Sequence, residues 1–99
     1  MHKSFKKEQI IELIKRSIEQ YLAENKDIYG FCHIIDVNMA EDLKTAFVYI
    51  ACNQKNEKYL ESYIIKDNAR LVKVFKEHFT SKFLPKLRYT FIKDNDAEF

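Results

Sequence analysis

The sequence predicts an α+β domain in which helices cover one face of a three-stranded sheet. Three observations lead there. Ile10, Ile14, Ile18 and Leu22 recur four residues apart, the spacing of one helix face. "FCHIIDVNM", "TAFVYIAC" and "KLRYTFIK" instead alternate apolar and polar residues, as half-buried strands do. With one Gly and one Pro in 99 residues the chain has few punctuators, so its elements are long and a small barrel of many tight turns is disfavoured. The length fits one domain spanning 1–99. The 46% apolar and 14% aromatic content is enough for a core, unlike that of disordered chains.

Ser4 to about Asn25 reads as the first helix, with Ile11 and Tyr21 widening its apolar stripe and Glu12, Lys15, Glu19 and Lys26 on the wet side. Ser4 is the expected N-cap, although Lys7 stands where a capping box would place an acid. "NKDIYG" ends the helix, with Gly30 free to take positive φ. Phe31 to Met39 is the first strand, with Ile35, Val37 and Met39 on one face and Ile34 and Asp36 on the other. Ala40 to Leu43 turns the chain into a second strand, Thr45 to Cys52. There Ala46, Val48 and Ile50 share one face, and Phe47 and Tyr49 the other. Setting Val37 opposite Ala46 and Ile35 opposite Val48 aligns the two apolar rows.

Lys58 to Lys66 is helical through Leu60 and Ile64. "KDNA" interrupts it, because Asp and Asn side chains compete for nearby backbone groups. Leu71, Phe75 and Phe79 then resume helical spacing, with Val72 beside them. Two helices, or one kinked helix, are expected, with the break at Asp67–Ala69. Pro85 stops the second helix and opens a last strand, in which Leu87, Tyr89 and Phe91 alternate with Arg88, Thr90 and Ile92. The two-helix crossover is long enough for this strand to pair in parallel with the second.

The net charge of +2 says little, but its distribution says more. From Lys66 to Lys93 eight basic residues face two acids, Asp67 and Glu77, so the remainder of the chain is net acidic. Two cysteines are too few for a disulfide framework. No apolar stretch reaches the ~18 residues of a membrane span, and the N-terminus lacks the apolar run of a secretion signal. A cytoplasmic or organelle-matrix protein with reduced thiols is expected, without a membrane partner.

The element order is that of a type II KH domain. "VNMAEDLKTAFVYI" resembles the signature of the ribosome-binding factor A family through Val37, Met39, Asp42, Leu43, Ala46, Val48, Tyr49 and Ile50. "FLPKLRYTF" is similar to that family's Val-Pro-Glu-Leu-x-Phe through Leu84, Pro85, Leu87 and Tyr89. The chain departs from the family at Asp67-Asn68-Ala69, where an Ala-x-Gly break is usual, and at Lys86, where Glu is common. Its "TFIKDN" extends the last strand, and the helix before the break is short. Asn68 is able to supply left-handed backbone at the kink. The resemblance implies a non-enzymatic assembly factor that binds the small ribosomal subunit, helps its rRNA mature and supports growth in the cold. It implies no cofactor and no small-molecule substrate, and a monomer.

Helical geometry places Lys66, Arg70 and Lys73 at i, i+4 and i+7, one face if the kink is mild, with Lys76 and Lys82 extending the positive side. These would neutralise phosphates, while Asn68 sits at the kink against the RNA backbone. The competing reading is a solvated helix surface. Phe47 and Tyr49 could stack on bases, or simply pack across the sheet. Cys32, His33, Cys52 and His78 are soft ligands, with Cys32 and Cys52 expected diagonally across the hairpin. No Cys-x-x-Cys pair supports zinc, so core cysteines and a half-buried, satisfied His78 are expected. Asp36, Glu41 and Asp42 offer carboxylates, but a turn explains Asp42, and there is no phosphate loop or nucleophile elbow. An enzyme is therefore not expected. Two rivals to the ribosomal reading are a KH-like protein-interaction domain and a general binder of single-stranded RNA.

Overall fold

A computed structural model describes residues 2–52, 57–78 and 85–93, with side chains from Lys7 onward. The elements are α1 (His2–Glu24), α2 (Lys26–Tyr29), β1 (Cys32–Met39), β2 (Thr45–Cys52), α3 (Glu57–Lys66), α4 (Asn68–His78) and β3 (Lys86–Lys93). This is the expected order plus the single-turn helix α2. β2 lies at the centre of the sheet, antiparallel to β1 and parallel to β3. No helix among the described residues is long and apolar enough to cross a membrane.

The first helix buries Ile10, Ile14, Ile18, Tyr21 and Leu22 as its spacing dictates. Ser17 lies in the same stripe and satisfies itself, its hydroxyl donating to the Leu13 carbonyl at 2.8 Å. The helix starts at His2, ahead of Ser4, so Ser4 is not its N-cap. Gly30 takes φ 69° and ψ −143°, backbone that a residue with a Cβ avoids.

The hairpin differs from expectation in register. Val37 lies opposite Val48 and Met39 opposite Ala46, a two-residue slip from the predicted pairing. An even slip leaves Val37 and Met39 on their predicted face, which is why hydrophobic pattern alone could not exclude it. The turn decides the register. Ala40 N–H donates to Thr45 O at 2.9 Å, and Asp42 Oδ1 accepts the Lys44 N–H at 2.9 Å. Leu43 sits between them at φ 62°, uncommon for a residue with a bulky side chain. That side chain packs against the core.

Ile35 also departs from expectation. Register shifts between Ile34 and Asp36, and Ile35 is 51% exposed. The bulge adds one residue to β1, so Ile34 rather than Ile35 packs against the core, and Val37 and Met39 resume the inward row beyond it.

Ala46, Val48 and Ile50 meet Leu60, Ile64, Leu71, Phe75 and Phe91 in one apolar cluster beneath the helices. The third strand rests chiefly against α3, and α4 against α1. Glu61 Oε2 accepts the Phe91 N–H at 3.0 Å, so this donor of edge strand β3 is not left open. Ile64 is fully buried in α3. Ile64→Ala should therefore destabilise the fold by about 2–5 kcal/mol, read as a lower urea midpoint at an unchanged denaturant slope.

Candidate nucleic-acid interface

The junction between α3 and α4 is built on Asp67. Its N–H closes the last turn of α3 on Tyr63 O at 2.8 Å. Its carbonyl accepts from Arg70 at 3.1 Å and Leu71 at 3.2 Å, so α4 begins from the same residue. No left-handed residue is needed. Among the described residues only Gly30 and Leu43 have positive φ, so Asn68 does not supply the left-handed backbone expected of it.

The Asp67 side chain points inward. Its Oδ2 accepts the Tyr21 hydroxyl at 2.7 Å, and that hydroxyl oxygen lies 2.7 Å from the Tyr29 hydroxyl. With Tyr21 donating to the carboxylate, Tyr29 donates to Tyr21. Asp67 Oδ1 is 3.7 Å from Arg70 Nε, Arg70 Nη1 donates to Asn25 Oδ1 at 3.3 Å, and Asn25 Nδ2 donates to Tyr21 O at 2.8 Å. Three elements and the α1–α2 junction thus meet in one polar cluster. The Tyr29 ring stacks parallel on Phe91, with centroids 6.0 Å apart, tying the cluster to β3. Burial, reinforced by the bonds to Tyr29 and Asp67, holds the Tyr21 phenol far above the ordinary tyrosine range. Burial also pushes Tyr29 up to about 12.

This junction sets where the predicted contact residues stand. Leu71, Val74 and Phe75 turn α4 toward the core. Lys73 and Lys76 project on its solvent side, and Lys66 is exposed at the end of α3. Asn68 is exposed as the first residue of α4. Arg70 and Lys73 border one cleft toward α1, and the Arg70 guanidinium is shared with Asp67 and Asn25, whereas Lys66 ends the preceding helix. Lys82 lies outside the described residues, as does Phe79.

Sequence reasoning missed an open groove of about 450 Å³ between α4 and the start of β3. Ile65, Asn68, Val72, Lys86, Leu87 and Tyr89 line it. Its one legible signal was Ile65, an apolar residue off the Leu60–Ile64 stripe, which is 66% exposed. Asn68 and Lys86 link this groove to the basic side of the junction.

The remaining candidates are mostly absorbed by structure. Phe47 and Tyr49 lie half-buried on the sheet face away from the core, with Arg88 beside Phe47 and Thr90 beside Tyr49. Asp36 Oδ1 accepts the Val37 N–H at 2.9 Å, and Asp42 serves the hairpin turn. His78 is half-buried, its Nε2 2.8 Å from Gln20 Oε1, as expected of a satisfied histidine. Cys32 and Cys52 are direct cross-strand partners, not diagonal ones, because the bulge shifts the register between them and the turn. Among the described residues no three His, Cys, Asp or Glu side chains converge on a metal position.

This fold is also that of a known protein. The chain is similar to the crystal structure of ribosome-binding factor A from Thermus thermophilus, with a TM-score of 0.70 over 82% of this chain and 89% of that one, at 17% sequence identity. At that identity the likeness shows a shared fold. No protein-family model matches the chain, and no curated protein matches it.

The tyrosine pair gives the fold an alkaline limit. The unfolded chain ionises its tyrosines near the ordinary 10.0, whereas Tyr29 holds its proton to about 12 and Tyr21 beyond that. Between those values the unfolded state binds fewer protons, so stability is complete below about pH 9 and falls as pH rises through about 10 to 12. Urea midpoints across that range should drop steadily, and less so in Tyr21→Phe. A flat profile would contradict the buried, neutral pair.

Proposed function

We propose that this chain is a non-catalytic ribosome-binding protein that docks on the small ribosomal subunit and assists maturation of its rRNA. The observation that carries the proposal is the placement of Lys66, Lys73 and Lys76, exposed around the α3–α4 junction of a fold shared with ribosome-binding factor A. The motif resemblance in the hairpin and at Pro85 supports it independently of charge.

Lysines on the outside of a rigid helix junction suit phosphate contacts, and duplex RNA is read mainly through its backbone and shape. Asn68, where the junction meets the groove, brings an amide within reach of the same backbone. Arg70 contributes less than the lysines, since its guanidinium is already engaged. The protein works as one KH-like domain, as a monomer in the cytoplasm and without a cofactor. Its effect is a shift in population: binding stabilises one rRNA conformation over another, by no more than its difference in affinity for the two. The exposed Ile65 in the groove favours a second reading, a protein-interaction domain on the same scaffold, whose binding would respond little to salt.

Co-sedimentation with purified small subunits, large subunits and joined ribosomes separates these readings. Selective pelleting with small subunits is expected at physiological salt. The folded triple variant Lys66→Glu/Lys73→Glu/Lys76→Glu should lose binding at least ~10-fold, with the slope of log affinity against log salt reduced by about 2–3. Arg70→Ala should have the smaller effect. Equal binding to all three particles, or a folded triple variant that pellets like the parent, would refute the assignment.

A further inference from the structure

Cys32 opens β1 and Cys52 closes β2, and the two are directly opposite in the antiparallel ladder. Residues opposite one another share a face of the sheet, with Cα atoms ~4.5–5.5 Å apart. That separation lies within the ~4.4–6.8 Å spanned by disulfides, so the backbone need not move to join them. Both are reduced thiols, and Cys32 Sγ lies 3.1 Å from the Tyr29 carbonyl oxygen, to which it donates. They differ in access: Cys52 is 1% exposed, whereas Cys32 is half-buried and lines an open groove of about 360 Å³ between α1 and β1, with Leu22, Lys26, Phe31 and His33. One thiol of the pair can meet a reagent from solvent, and the other lies behind it.

We propose that Cys32 and Cys52 form an oxidisable pair, with Cys32 as the attacking thiol and Cys52 as the resolving thiol, closing a disulfide across the base of the hairpin. The oxidant is a small-molecule disulfide such as oxidised glutathione. Cys32 loses its proton and its sulfur attacks one sulfur of the oxidant, breaking that S–S bond and releasing one glutathione thiolate, which takes up a proton. Cys52 then loses its proton and attacks the Cys32 sulfur of the mixed disulfide, releasing the second glutathione. The protein gives up two electrons and two protons, and the oxidant leaves as two thiols.

The reaction should be slow near neutrality. Burial, with the Cys52 thiol beside it as a lesser cause, pushes the Cys32 thiol up to about 12. The attacking thiolate fraction therefore grows about tenfold per pH unit over the range below that value. The closed bond would fasten β1 to β2 where the chain leaves the sheet for α3. It should therefore raise the melting temperature.

The test is incubation of the intact chain with oxidised glutathione at about pH 8 and pH 9, followed by alkylation and intact mass and peptide analysis under non-reducing conditions. The expected product has lost two hydrogens, carries no alkyl group, and yields one linked peptide pair containing Cys32 and Cys52. Its rate should rise about tenfold between the two pH values. Cys52→Ser should instead accumulate a stable glutathione adduct on Cys32, while Cys32→Ser leaves Cys52 unmodified in the folded protein. Two alkylatable thiols after oxidation of the parent, a persistent glutathione adduct on it, or adduct formation at Cys52 in Cys32→Ser would each overturn the proposal.

Discussion

The hydrogen bond from the Tyr21 hydroxyl to Asp67 is the contact on which the rest of the arrangement turns. Asp67 is a carboxylate at a helix junction, with its side chain only 17% exposed. The carboxylate is tolerated there because the Tyr21 hydroxyl of α1 donates to it and the Arg70 guanidinium of α4 lies beside it. One residue thereby ends α3, starts α4 and fastens both to the first helix. The Tyr29 ring extends the connection to β3 through Phe91. Families that use glycine at such a break rely on backbone freedom. This chain relies on a side-chain bond.

That bond also sorts the positive charge. Around α4, Leu71, Val74 and Phe75 face inward, Arg70, Lys73 and Glu77 border the cleft toward α1, and Lys76 is exposed beyond them. Glu77 receives a bond from Gln20 and lines the cleft between α1 and α4 together with Arg70 and Lys73. The result is a junction with Lys66, Lys73 and Lys76 exposed around it. Asp36 and Asp42 near the hairpin are bonded to adjacent backbone, and the most perturbed phenol is a buried neutral donor.

Much of this was legible in the sequence. Helical spacing located α1, α3 and α4, alternation located the three strands, and "KDNA" located the junction to within a residue. What escaped was information that hydrophobic pattern does not carry. A two-residue slip preserves sheet faces, so the true register depended on Leu43 adopting a backbone that composition does not advertise. The bulge at Ile35 replaced one inward isoleucine by its neighbour, a substitution invisible where two isoleucines adjoin. Around the junction, helical arithmetic placed Lys66, Lys73 and Lys76 at exposed positions but did not foresee the contacts of Arg70. Its bond to Asn25 is a tertiary contact across 45 residues, set by how α1 and α4 pack, whereas Asp67 is a local partner three residues away.

The central claim is that Tyr21 and Asp67 stabilise the junction through each other. A double-mutant cycle measures this directly, with urea unfolding of the parent, Tyr21→Phe, Asp67→Ala and the double variant. A coupling energy of about 1.5–3 kcal/mol is predicted, the range for a sheltered hydrogen bond to a charged acceptor. Losses that add to within about 0.5 kcal/mol would mean that the two residues act separately, and that something other than this bond fixes the direction of α4.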